Sequence, residues 1–158
     1  MRPIDALAIS LAYIVDADED RRPEEKAMLL SLLGKHLSTG EFKPADLENL
    51  SRNAFAFAAK TDLDKFLAEA ANIMTRMQMI STYINVFEAM IIDGQVTQAE
   101  NAILSKFETA FNLDRDTIES VREVMYVKND TTMFLRPEHP RNDRAGFLAV
   151  RYTGHTAD

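Results

Sequence analysis

The chain of 158 residues has no cysteine and no tryptophan, and only five glycines and five prolines. Without thiols it can form no disulfide, present no thiolate nucleophile and hold no cysteine-ligated metal. Scarce glycine and proline argue against a sandwich or barrel, whose many turns consume both, and fit helices joined by short loops. Long apolar runs are missing as well. Leu7–Val15 falls far short of the ~20 residues that a bilayer span requires. Asp5 interrupts its start, the acids of 16–20 follow it, and no small-residue cleavage site is present. Neither a signal peptide nor a membrane span is expected, and the expected location is cytoplasmic. The three histidines, His36, His139 and His155, have no metal-ligand spacing, which argues against a zinc site or a histidine-based triad.

Positive charge is in short supply: 18 Lys and Arg stand against 25 Asp and Glu, for a net charge of −7. Residues 136–158 hold four arginines and three acids, so residues 1–135 carry −8. A surface of that sign repels phosphate backbones, so no nucleic-acid partner is expected. It suits cations and basic partners.

What is present is a 46% hydrophobic, 27% charged composition, that of a globular body. Apolar residues recur at helical spacing. Ile4, Leu7, Ala8, Leu11, Ile14 and Val15 mark a first helix over 3–15. A second starts at Pro23 and a third at Pro44. Thr61 is expected to cap a fourth, and a fifth runs over about 77–92 after a bend or break near Thr75. Thr97 starts a sixth, and Asp114 caps a seventh carrying Ile118, Val121 and Met125. The predicted fold is therefore all-α, about seven helices over residues 1–130, followed by an irregular tail, 131–158, broken by Pro137, Pro140, Gly146 and Gly154. Charge draws Arg136, Arg141 and Arg144 towards the acidic body, and Phe147, Leu148, Val150 and Tyr152 offer an apolar contact. Ordering entropy offsets that gain, so the expected receiver of the tail is another surface, either a protein partner or a second copy of the chain in a homo-oligomer.

A shift of 75 residues lays LAISLAYIVDADEDRRPEEKAMLLSL over TYINVFEAMIIDGQVTQAENAILSKF without a gap. Ile9 falls on Ile84, Asp18 on Asp93, Glu25 on Glu100, Ala27 on Ala102 and Leu29 on Leu104. The pattern is a pseudo-duplication: two helix–loop–helix units, each an apolar helix, an Asp, a Glu seven residues on, and another apolar helix.

The loops of both units carry acids. Asp16, Asp18, Asp20, Glu24 and Glu25 crowd the first, and Asp93 and Glu100 lie in the second. Hard cations such as Ca²⁺ take several oxygen ligands, and a loop between helices brings side-chain and backbone oxygens together. The Asp16, Asp18 and Asp20 run copies the first three ligand positions of an EF-hand. Arg21 then stands where that loop needs Gly, and Ala27 where it needs Glu, so this is not an EF-hand. A second reading needs no metal. Thr97-Gln98-Ala99-Glu100 has the form of a capping box, Glu25 occupies the matching position, and Asp93-Gly94 is an ordinary turn pair.

The run from Met90 to Leu104, an apolar helix, Asp-Gly, a Val two residues on and a Glu before the next apolar helix, resembles the tellurite-resistance TerB-like domain. Val15–Leu29 resembles a degenerate first copy, and the likeness covers about residues 3–128. Asp18, Glu25, Asp93 and Glu100 match the motif. The first loop departs from it with Glu19 in place of Gly94, and Asp16 and Asp20 stand nearby to compensate. The resemblance implies a helical fold with pseudo-twofold duplication, binding of a divalent cation, chiefly Ca²⁺, by the acidic loop residues, and a place in stress-response protein complexes at the inner membrane face, where association would be peripheral. It implies no catalysis. Related domains also sit beside J-domains, but His139-Pro140 is followed here by Arg141, not Asp. The alternative function is a helical docking scaffold whose acidic loops only cap helices. A metal-dependent hydrolase using the same carboxylates is a third, weaker reading.

Overall fold

Three of the five prolines open helices. A proline at the first helical position loses nothing, because its missing N–H would have no partner there. The structure is a computed structural model describing residues 1–15, 23–35, 40, 43–91 and 97–142. Pro3 begins α1 (Pro3–Val15), Pro23 begins α2 (Pro23–Gly34) and Pro44 begins α3 (Pro44–Ala58); α4 (Leu63–Ile73), α5 (Arg76–Ile91), α6 (Gln98–Ala110) and α7 (Arg115–Lys128) follow. The fold is all-α, with seven α-helices and no strand among the described residues. Beyond α7 come turns and a short 3-10 turn, Pro140–Asn142.

Side chains from neighbouring residues set most helix starts. Asp114 caps α7 by accepting from the Thr117 amide at 2.8 Å, as its sequence position predicts. The start of α4 differs from the sequence reading. Its cap is Asp62, whose carboxylate accepts from the amides of Asp64 at 2.9 Å and Lys65 at 3.3 Å. A carboxylate also interacts favourably with the positive end of the helix dipole. Thr61 instead offers its carbonyl to the Tyr13 hydroxyl at 2.7 Å. The break near Thr75 is real. Met74 is extended, with φ −98° and ψ 143°, and Thr75 and Gln78 cap α5 reciprocally: the Thr75 amide donates to Gln78 Oε1 at 2.9 Å, and the Gln78 amide to Thr75 Oγ1 at 3.3 Å. Thr-x-x-Gln is a form of the capping box.

The core is organised around α1, on which α2, α3, α4 and α5 all pack. Nine of its thirteen residues are buried, so it presents no polar face, and its neighbours must surround it. Opposite this layer α6 packs on α4 and α5, and α7 on α5. Phe66 of α4 sits at the junction with the α1 layer, its ring 5.4 Å from that of Tyr13 and 6.0 Å, edge-on, from that of Phe57.

The two units inferred from the 75-residue shift correspond at the level of the fold. Pro23 and Gln98 stand 75 positions apart and open α2 and α6. Leu11 and Val86, and likewise Leu29 and Leu104, are paired by the shift and fully buried. The polar residues agree as well. Ser10 and Asn85 occupy equivalent positions, both buried, and each bonds back to the carbonyl four residues earlier: Ser10 Oγ to Ala6 at 2.8 Å and Asn85 Nδ2 to Ser81 at 2.7 Å. Amphipathic periodicity alone would not place a buried, back-bonded polar residue at the same point in both copies.

Replacing Phe66 with Ala empties a fully buried aromatic site and should destabilise the fold by about 3–5 kcal/mol. Urea unfolding followed by circular dichroism measures this; a loss below ~1 kcal/mol would mean that α4 does not seat on α1 as described.

Candidate functional site

Of the six acids singled out from the sequence, Asp16, Asp18, Asp20 and Asp93 lie outside the described residues, and of Glu25 only the backbone is described. Their mutual geometry is therefore not part of the structure. What is described is the framework that ends each loop. Counting from Pro23 and from Gln98, Glu25 and Glu100 are each the third residue of their helix, so both units bring a glutamate into the first turn after an acidic loop.

Glu100 itself is fully described. It is 8% exposed, and its Oε2 accepts the Thr97 amide at 2.7 Å while Thr97 Oγ1 accepts the Glu100 amide at 3.1 Å. The capping box expected from Thr97-Gln98-Ala99-Glu100 is thus formed, and it satisfies two N–H groups that the helix start leaves without partners. The box uses one carboxylate oxygen. The other, Oε1, has no hydrogen-bond partner among the described residues. Capping and coordination are therefore compatible at this residue, since a cation could take the second oxygen without breaking the cap. Among the described residues, no three Asp, Glu, His or Cys side chains are grouped to hold a metal; the four aspartates lie outside those residues.

Two polar clusters are not visible in the sequence. In the first, the fully buried Tyr83 of α5 donates from its hydroxyl to Glu108 Oε1 of α6 at 2.6 Å. Arg122 of α7 donates to the same oxygen at 2.8 Å, and its guanidinium lies 5.9 Å from the Phe87 ring centroid. Burial, reinforced by the Glu108 hydrogen bond, pushes the Tyr83 phenol well above its ordinary range. It stays protonated at neutral pH and is poorly suited to acid–base work. The cluster ties three helices together. The available signal in the sequence was a glutamate and an arginine at helical positions facing apolar neighbours, but nothing local pairs residues 83, 108 and 122.

The second cluster lies past α7. Asp130 Oδ1 accepts from the Thr132 amide at 3.1 Å, Thr132 Oγ1 at 2.9 Å and the Met133 amide at 3.2 Å. Its Oδ2 takes Arg141 Nη1 at 2.7 Å and lies 3.3 Å from His139 Nε2. His139 Nδ1 accepts the Arg141 amide at 3.2 Å, so in this arrangement the ring carries its proton on Nε2. The pull of Arg141 towards acid, expected from charge, finds its partner in Asp130.

Two outcomes follow. Thr97→Ala should cost on the order of 1 kcal/mol in the presence of chelator; a neutral result in thermal unfolding would mean that α6 does not rest on this cap. The Thr132 side-chain hydrogen bond, foremost among several bonds, holds the Asp130 carboxyl below its usual value. A pKa lower in the folded state than in the unfolded one means that the charged form is stabilised by folding. This contribution is complete above the unfolded carboxylate pKa of ~3.9 and is lost as pH falls through the lower folded value. Amide exchange at Leu135 and Arg136, whose N–H groups bond Thr132 O at 3.0 Å each, should therefore lose protection selectively between pH 5 and pH 2 (roughly the span either side of that value). Uniform protection across that interval would show that Asp130 does not hold the turn.

Set against protein-family models, curated proteins and solved structures, the chain matches none.

Proposed function

We propose that the chain is a non-catalytic, divalent-cation-binding adaptor of the TerB-like, stress-response type, with Ca²⁺ as the cation best suited to its loops and other proteins as its clients. The observation that carries this reading is the paired placement of Glu25 and Glu100. Each is the third residue of a helix that follows an acidic loop, and the loops arise from helices α1 and α5, which pack on one another. Six acids, Asp16, Asp18, Asp20, Glu25, Asp93 and Glu100, are the candidate ligands. They are hard oxygen donors of the kind Ca²⁺ takes in numbers of six to eight, usually completed by backbone carbonyls and water. Glu100 Oε1, which has no hydrogen-bond partner among the described residues, supports it further. Capping needs only one carboxylate per helix start, and the first loop has several to spare. No described helix is long and apolar enough to cross a membrane, and the bilayer contact that belongs to this reading is a peripheral one.

The alternative is a docking scaffold whose acids only cap. It is favoured by the near-complete burial of Glu100 and by its engagement with Thr97. Metal-assisted hydrolysis has no comparable support.

Calcium separates the two readings. A ligand present at 100 times its Kd stabilises the native state by ~2.7 kcal/mol, which for a domain of this size raises Tm by roughly 5–10 °C. Millimolar Ca²⁺ added to chelator-treated protein should produce such a shift, together with a calorimetric binding heat. The double variant Asp18→Asn, Asp93→Asn should lose most of both. An unchanged melting curve and no binding heat would leave the scaffold reading standing alone.

A further inference from the structure

The turn after α7 holds two large apolar side chains away from the core. Phe134 is 87% exposed and Leu135 79%, the most exposed large hydrophobic residues among those described. They are not on a loose strand. Asp130 clamps the chain before them through Thr132 and Met133. The amides of Leu135 and Arg136 bond back to Thr132, and Arg141 and His139 return to Asp130 from the other side. A polar framework is thus spent on presenting an apolar pair to solvent, where it gains nothing.

Two observations decide what covers it. First, the exposed pair is small. A stable interface between separate proteins buries ~800 Å² on each partner, several times what two side chains supply, so a freely diffusing second copy would need much more surface than this. A tethered occupant needs far less, because its effective concentration is in the millimolar range. Second, the chain itself returns to this spot. The Asn142 carboxamide donates to Met133 O at 2.8 Å and to Arg136 O at 3.0 Å, so the described structure ends beside the residue that precedes Phe134. Residues 143–158 follow, and their one apolar run is Phe147-Leu148-Ala149-Val150. Phe147 lies five residue steps beyond Asn142, a reach of up to ~17 Å at ~3.3–3.6 Å per residue.

We propose that Phe134 and Leu135 are the seat of the chain's own residues 147–150. The pinning of 130–142 changes the balance that sequence alone suggests, because the first part of the tail is already held by Asp130 and Asn142 and only the short stretch from 143 onward has to be ordered to make the contact.

The absence of native cysteine makes the test direct. In the full chain, Leu135→Cys combined with Leu148→Cys is compared with Leu135→Cys combined with Ala157→Cys, which sits on the same tail outside the apolar run. Leu135 is exposed, so its replacement leaves the core untouched. In dilute protein under a glutathione redox buffer, the first pair should close an intrachain disulfide at least ten times faster than the second, read by peptide mass mapping. Adding Phe134→Asp should abolish that advantage. Equal closure rates for the two pairs would overturn the proposal. A disulfide that forms only between chains would also overturn it, by making a second copy the occupant.

Discussion

The structure depends on the burial of α1. A helix that hides nine of thirteen residues has no side to show to water, and it is stable only when other helices surround it. The packing of α2, α3, α4 and α5 around it follows from that need. Short connections then leave α6 and α7 to close over α4 and α5. Since α5 repeats the pattern of α1, it too is largely interior, with eight buried residues. The two most hydrophobic strings of the chain therefore lie against each other.

Polar groups inside this core are few, and apart from the Ser51 hydroxyl and Arg122 Nε those named here have hydrogen-bond partners. Ser10 and Asn85 use the carbonyl of the preceding turn, and the second oxygen-bearing end of Asn85 also receives Lys35 Nζ at 2.7 Å. Tyr83, Glu108 and Arg122 close a three-helix junction, with hydroxyl and guanidinium sharing one carboxylate oxygen. Such partners offset the desolvation of a half-buried carboxylate. These groups are committed to one another, and the functional reading falls on the loops and not on the interior.

At the loops, one residue type meets two requirements. A helix start leaves N–H groups without partners, and a glutamate at the third position answers one of them with a single oxygen. A hard cation also asks for carboxylate oxygen. Glu100 answers the first demand in full and keeps an oxygen for the second. A sequence motif of Asp followed seven residues later by Glu is therefore equally natural as a cap and as part of a metal loop, and the distinction rests on the acids around it, which the first unit has in excess.

The sequence by itself determined the number of helices among the described residues and most of their boundaries, because those depend on local facts: apolar spacing at 3.6 residues per turn, proline at a first position, Thr97 three residues before Glu100. A local signal also marks the start of α5, Thr75 three residues before Gln78, whereas at α4 Thr61 and Asp62 compete for the cap and the carboxylate wins. Tertiary structure alone decided which side chains meet. Residues 83, 108 and 122 share one oxygen, Asp130 gathers residues 132, 139 and 141, and Phe134 is left in solvent while Phe66 is enclosed. Nothing in the local pattern distinguishes those two phenylalanines. Their fates differ because one projects from a helix face that has a neighbour and the other from a turn that has none among the described residues, and the supply of neighbours is a property of the packed chain.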